Sequence, residues 1–206
     1  MASITFLTVV NGLAALFVLC LGLAMATIVV LYVIDGLHQS KVLSSAVLGS
    51  VAIGYVIAAI FAGRLGDRFG LARVIFFASF IYGGGCLAGG LAQQWHDWYF
   101  GLIIGVSIAG GTVMTLAWGL LYKIVPVEHR GAVSGLATTT KGIGLLVGAP
   151  VAGLAIDLAR PYLTATNGYQ VLWPICGVAI LGAIPLLVRL MEVEPKTHVD
   201  VDVPVV

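Results

Sequence analysis

Gly63-Arg64-Leu65-Gly66-Asp67-Arg68-Phe69-Gly70-Leu71-Ala72-Arg73 separates two long apolar runs, one ending at about residue 63 and the other starting at about residue 71. Three arginines and an aspartate are spent on this one turn, in a chain with ten basic and nine acidic residues altogether. A charged, glycine-punctuated elbow this short forces the runs on either side to lie antiparallel. Gly63 and Gly66 are expected to end the second span, where glycine relieves crowding at a helix exit. Asp67 is then expected at the start of the third, where the helix dipole favours an acid. Contacts of Arg68 and Arg73 with Asp67 or nearby carbonyls, worth about 0–1 kcal/mol each when exposed, would make a breakable lock. The simpler reading, arginines holding the loop in the cytoplasm, operates beside it.

Outside the elbow the chain is built for lipid. Hydrophobic residues make up 60% and charged residues 9%, against roughly 25% charged in a soluble domain. Mean hydropathy is +1.10. A formal charge of +1 argues against nucleic acid as a partner, because phosphate binding needs clustered Lys and Arg. Cys20, Cys86 and Cys176 lie inside apolar runs without metal or redox spacing and read as small core residues. The first apolar run lacks a basic leader and exceeds the length of a cleavable signal, so it reads as a membrane helix.

About 20 apolar residues cross the hydrocarbon. Breaks at charged and turn-rich segments yield six spans, at about 5–34, 42–63, 71–93, 98–122, 131–157 and 168–190, with a polar tail over 191–206. Backbone groups must be satisfied internally in lipid, so short connections imply an all-α, polytopic bundle of six transmembrane helices. Arg64, Arg68, Arg73, Lys123, Arg130, Arg189 and Lys196 fall on one side; Lys41 and Arg160 fall on the other. Seven against two places both termini in the cytoplasm, with the plasma membrane as location. Trp95, Trp98 and Tyr99, and Tyr169 with Trp173, mark the outer boundary. Gly85/Gly89, Gly101/Gly105 and Gly144/Gly148 make Gly-x-x-x-Gly pairs suited to close helix contact.

Candidate cavity residues follow from depth and periodicity. Lys141 sits about ten residues into the fifth span, roughly 15 Å along the helix, at a depth where charge faces protein or water. Ser134, Thr138, Lys141, Leu145 and Gly148 share a stripe expected to face the bundle; snorkelling of Lys141 to the cytoplasmic headgroups is the alternative. Ser107, Gly111, Thr115, Trp118 and Tyr122 form a second stripe, either ligand-facing or with hydroxyls satisfied by their own backbone. Asn11 is either a third contributor or an interfacial residue. All nine acids fall in loops, span ends or the tail, so a cavity holding Lys141 favours an anionic or neutral solute.

The elbow resembles the loop signature of the major facilitator superfamily, Gly-x-Leu-Ala-Asp-Arg-x-Gly followed by basic residues. Gly63, Leu65, Asp67, Arg68 and Gly70 match it; Leu71 and Ala72 replace the usual basic pair, and Arg73 follows. Pro126-Val127-Glu128-His129-Arg130-Gly131 is similar to the related loop between the fourth and fifth helices, with Glu128, Arg130 and Gly131 as its functional residues. Gly148-Ala149-Pro150 and Gly153 resemble the family's fifth-helix Gly-Pro motif. Gly101 stands where many N-terminal halves carry arginine, so the chain is more similar to a C-terminal half.

The resemblance covers about residues 5–190, one six-helix half of a twelve-helix fold, and implies a secondary active transporter, or half of one, moving a small organic solute by alternating access. The elbow would steady one state. The half would pair with a second six-helix half or with itself; a truncated or accessory subunit without transport activity is the alternative. No cofactor or metal is implied, and an enzyme is disfavoured. An intramembrane serine protease needs Gly-x-Ser-Gly, whereas Ala132-Val133 precede Ser134-Gly135, and His38, His96, His129 and His198 lie in loops or the tail.

Overall fold

The computed structural model describes residues 10, 11, 14, 29–125 and 127–193. Most of the first expected span, with Cys20, lies outside the described residues, as do Pro126 and residues 194–206. The described part is helical, without strands. Helix α1, Val29–Leu31, runs into a π-turn at Tyr32–Gly36. The others are α2 (Lys41–Phe69), α3 (Leu71–Gly89), α4 (Tyr99–Ile124), α5 (Arg130–Ala159), α6 (Leu172–Gly182) and α7 (Ile184–Val193). Five helical stretches are long and apolar enough to cross a bilayer: Lys41–Phe69, Leu71–Gly89, Tyr99–Lys123, Val127–Ala159 and Tyr169–Arg189.

Two local differences from the sequence reading have clear causes. Helix α2 does not leave the membrane axis at Gly63 or Gly66; it continues unbroken to Phe69 and turns at Gly70. Gly70 has φ 90°, a conformation other residues rarely adopt, and its N–H bonds to the Gly66 carbonyl at 2.9 Å. Gly66 is kept for space instead: a Cβ there would stand 2.5 Å from Leu71 Cδ2 and 3.2 Å from Leu116 Cδ2. The sixth span is two helices rather than one, broken at Ala183. Pro185 has no N–H for the Leu181 carbonyl and sits in the first turn of α7, where proline is tolerated.

Packing runs on small residues. At α2–α4, a Cβ on Gly54 would lie 2.5 Å from Ser107 Cβ, and one on Gly111 would lie 2.8 Å from Ala58 Cβ. With no hydrophobic drive between helices in lipid, such close backbone approach supplies the van der Waals contact. Gly85 receives Val106, and Gly110 receives the Tyr82 ring. Between α3 and α6, Gly83 faces Leu181 and the Gly177 carbonyl. Of the Gly-x-x-x-Gly pairs, Gly85/Gly89 packs tightly against Val106 and Trp173, and Gly144/Gly148 is buried. Gly101/Gly105 faces open space.

The main core joins α3, α4 and α6 through Ile75, Ala78, Tyr82, Cys86, Val113, Leu116, Cys176 and Ile180. Helix α5 is peripheral: 22% of its most apolar stretch is buried, against 39% for α3 and α4. Leu136, Ile143, Leu146, Leu154 and Leu158 are exposed along it, as expected of a helix bordered by lipid or by a partner.

Candidate functional site

At the elbow, Asp67 stands exposed in the last turn of α2 rather than the first turn of α3. Arg64, Leu65, Arg68 and Arg73 are exposed as well. The Arg68 guanidinium lies 5.3 Å from the centre of the exposed Phe69 ring, within cation–π range. Gly63 meets nothing within 4 Å, so among the expected elbow glycines Gly66 and Gly70 carry structural constraint.

The second loop folds as a short turn of 3₁₀ helix, Val127–His129, leading into α5. Glu128, Arg130 and Gly131 are exposed. Arg130 Nε reaches back to the Val125 carbonyl at 3.4 Å, closing the junction between α4 and α5. Directly above it, the Tyr122 hydroxyl and Ser134 Oγ lie 3.0 Å apart. Trp118 packs beside Leu121, Val125 and Ala137, with its ring 6.4 Å from that of Tyr122.

The two stripes read from the sequence are therefore joined at one end. They do not stay together along their length. On α4, Ser107 and Gly111 are consumed by packing against α2, whereas Thr115 and Tyr122 are exposed and Trp118 is half-buried. On α5, the buried line is Ala137, Gly144, Gly148, Ala152 and Ile156. It shares Gly148 with the expected line but runs through Ala137 and Gly144, leaving the adjacent Thr138 and Leu145 exposed. Lys141 lies four residues after Ala137 and three before Gly144, on the same stripe as the buried line, and is half-buried. Thr138 donates its hydroxyl to the Ser134 carbonyl at 2.9 Å, and Thr112, Thr139 and Thr140 bond to their own helices in the same way. Asn11 is helical and half-buried.

The opposite end holds a polar clasp that the sequence reading missed. Tyr32 donates to the Ala92 carbonyl at 2.5 Å and meets Trp173 edge-on at 5.4 Å. Asn167 donates to the Asp35 carbonyl at 2.8 Å, and Gln170 donates to the Gly90 carbonyl. Three connections are thus tied together: π-turn to α2, α3 to α4, and α5 to α6. The available signal was the Asn167-Gly168 pair, a turn dipeptide, whose residues adopt φ 49° and 84°. Asp157 and Arg160 form an exposed pair at 3.3 Å beside it. Among the described residues, no cluster of three metal-ligating side chains occurs.

A family model described as Major Facilitator Superfamily matches residues 12–203. Two sequences named as uncharacterized MFS-type transporters of Mycobacterium tuberculosis, from strains CDC 1551 / Oshkosh and ATCC 25618 / H37Rv, are similar to this chain. Each is 25% identical over 154 residues, covering 73% of this chain and 21% of the relative. The chain thus spans about a fifth of the length of these curated relatives. The in meso crystal structure of the POT family transporter PepTSo shares the fold, with a TM-score of 0.72 at 17% identity. That likeness covers 90% of this chain and 37% of the other.

Proposed function

The chain belongs to the major facilitator superfamily, and from that premise we propose that it is one half of a secondary active transporter. It moves a small organic solute across the plasma membrane by alternating access, with both termini in the cytoplasm. The observation that carries this reading is the family match over residues 12–203, joined to a fold likeness over only 37% of a solved transporter. A unit of that size supplies one wall of a midplane site, because transporters of this kind hold substrate between repeats. The second wall is another six-helix half or a second copy of this chain.

The face offered to that wall is the α4–α5 side. Thr115 and Thr138 are exposed there, while Ser134, Trp118 and Lys141 are half-buried. Lys141 supplies positive charge, and the described acids Asp35, Asp67, Asp97, Glu128, Asp157 and Glu192 all lie near helix ends or in connections. This supports an anionic or neutral solute. The elbow around Asp67, Arg68 and Gly70 and the loop at Glu128, Arg130 and Gly131 lie at one end of the bundle, where they steady one of the two access states. Family membership supports transport over catalysis, and no cofactor is required.

The test is flux in proteoliposomes with a panel of organic anions and neutral solutes, using the chain alone and with a co-expressed six-helix half. Lys141→Ala is expected to lower anion flux at least about tenfold while leaving the protein folded. Unchanged anion flux in Lys141→Ala removes Lys141 from the cavity. A monodisperse chain that moves no solute in either format favours the accessory-subunit reading.

A further inference from the structure

Two of the three cysteines, 90 residues apart in sequence, meet inside the bundle. Cys86 on α3 and Cys176 on α6 hold their Sγ atoms 3.8 Å apart. Each is reduced, and each is 1% exposed. The neighbouring turn explains the approach: a Cβ on Gly177 would stand 2.8 Å from the Gly83 carbonyl oxygen. Glycine on both helices brings the backbones nearly into contact; Cys176 adjoins Gly177, and Cys86 lies one helical turn after Gly83. Bridging requires sulfurs about 2.0 Å apart and Cα atoms within roughly 7 Å. Rotamer adjustment can close the sulfurs where the backbones are already adjacent.

We propose that Cys86 and Cys176 form a dithiol that a small uncharged peroxide oxidises to a disulfide, stapling α3 to α6. One thiol sulfur attacks a peroxide oxygen and breaks the O–O bond; its proton passes to the departing hydroxide, which leaves as water, and the sulfur becomes a sulfenic acid. The second sulfur then displaces the sulfenic hydroxyl as water. For hydrogen peroxide the sum is two thiols and one peroxide giving one disulfide and two waters. Burial selects the oxidant: a bulky or charged thiol reagent is excluded from sulfurs 1% exposed, whereas hydrogen peroxide is small and neutral enough to enter the bundle. This inference stands on the packing of α3 and α6 and is independent of the transport reading.

The experiment treats the full chain, with Cys20→Ser as the sole substitution, in nanodiscs with hydrogen peroxide. Intact-mass spectrometry then follows, with maleimide counting of thiols after denaturation and peptide mapping. The expected product is lighter by two hydrogens, has lost both thiols together, and yields a peptide linking Cys86 to Cys176. Cys86→Ala or Cys176→Ala should each leave the remaining thiol countable after the same treatment. Recovery of both thiols in reduced form from the folded, peroxide-treated chain overturns the proposal, as does oxygen addition at single sulfurs without a bridge. Mapping the bridge in the Cys20→Ser chain requires neither alanine variant to fold.

Discussion

The hydroxyls of Tyr122 and Ser134 lie 3.0 Å apart across the junction of α4 and α5. They join the ends of two polar stripes that the chain carries on separate spans. Together with the packing of Val133 and Ala137 against Trp118, Leu121 and Val125, this contact and the Arg130–Val125 bond hold α5 to α4 at this end. An isolated hydrogen bond contributes about 0.5–1.5 kcal/mol. Tyr122→Phe and Ser134→Ala are each expected to cost at most about 1 kcal/mol in this exposed setting. The double variant should cost no more than the larger single one, as read from unfolding in mixed micelles. Additive losses would show that the two hydroxyls act independently.

Gly54 and Gly63 lie on the same helix yet should respond oppositely to a methyl group. At Gly54 the added Cβ meets Ser107 Cβ at 2.5 Å and the Ile104 carbonyl oxygen at 2.8 Å, and backbone cannot move aside as a side chain would. Gly54→Ala is expected to destabilise by about 1–3 kcal/mol through overpacking. Gly63 meets nothing within 4 Å, so Gly63→Ala should be neutral or stabilising by up to about 1 kcal/mol. Thermal unfolding of both variants in one detergent checks the ordering. Equal losses would place the α2–α4 contact elsewhere.

Asn167 tests the clasp at the other end. Its φ of 49° favours glycine or asparagine, and its side chain holds the Asp35 carbonyl at 2.8 Å. Asn167→Gly loses the bond alone, a cost of about 1 kcal/mol. Asn167→Ala adds left-handed strain and should cost about 2 kcal/mol or more. The comparison is read from midpoint shifts in chemical unfolding, and an alanine variant as stable as the glycine variant would refute the strain argument.

The proposed sidedness rests on the charge count. Leu91 and Val127 are 82% and 69% exposed and lie in the α3–α4 and α4–α5 connections, at opposite ends of the bundle. In a chain lacking its three native cysteines, Val127→Cys should react with a membrane-impermeant maleimide only from the cytoplasmic side. Leu91→Cys should react only from outside. Reversed labelling would invert the orientation.

Much of this protein was legible in the residues alone. Apolar run length and scarce charge identify a membrane bundle, because each span must satisfy its own backbone in lipid wherever its neighbours lie. The elbow was legible too, since its glycines and charges are adjacent in the chain. Its turn point was not. Gly63, Gly66 and Gly70 look alike as letters, and only the packing of Leu71 and Leu116 around Gly66, with the φ of Gly70, separates crowding from turning. The same holds for Lys141, whose half-buried place on the stripe of Ala137 and Gly144 depends on how α5 is rotated about its axis. Tyr32 with Ala92 and Cys86 with Cys176 are 60 and 90 residues apart. Hydropathy and helical period report which face of a segment is apolar, whereas the identity of its neighbour is decided by shape, through glycine notches that admit one particular side chain.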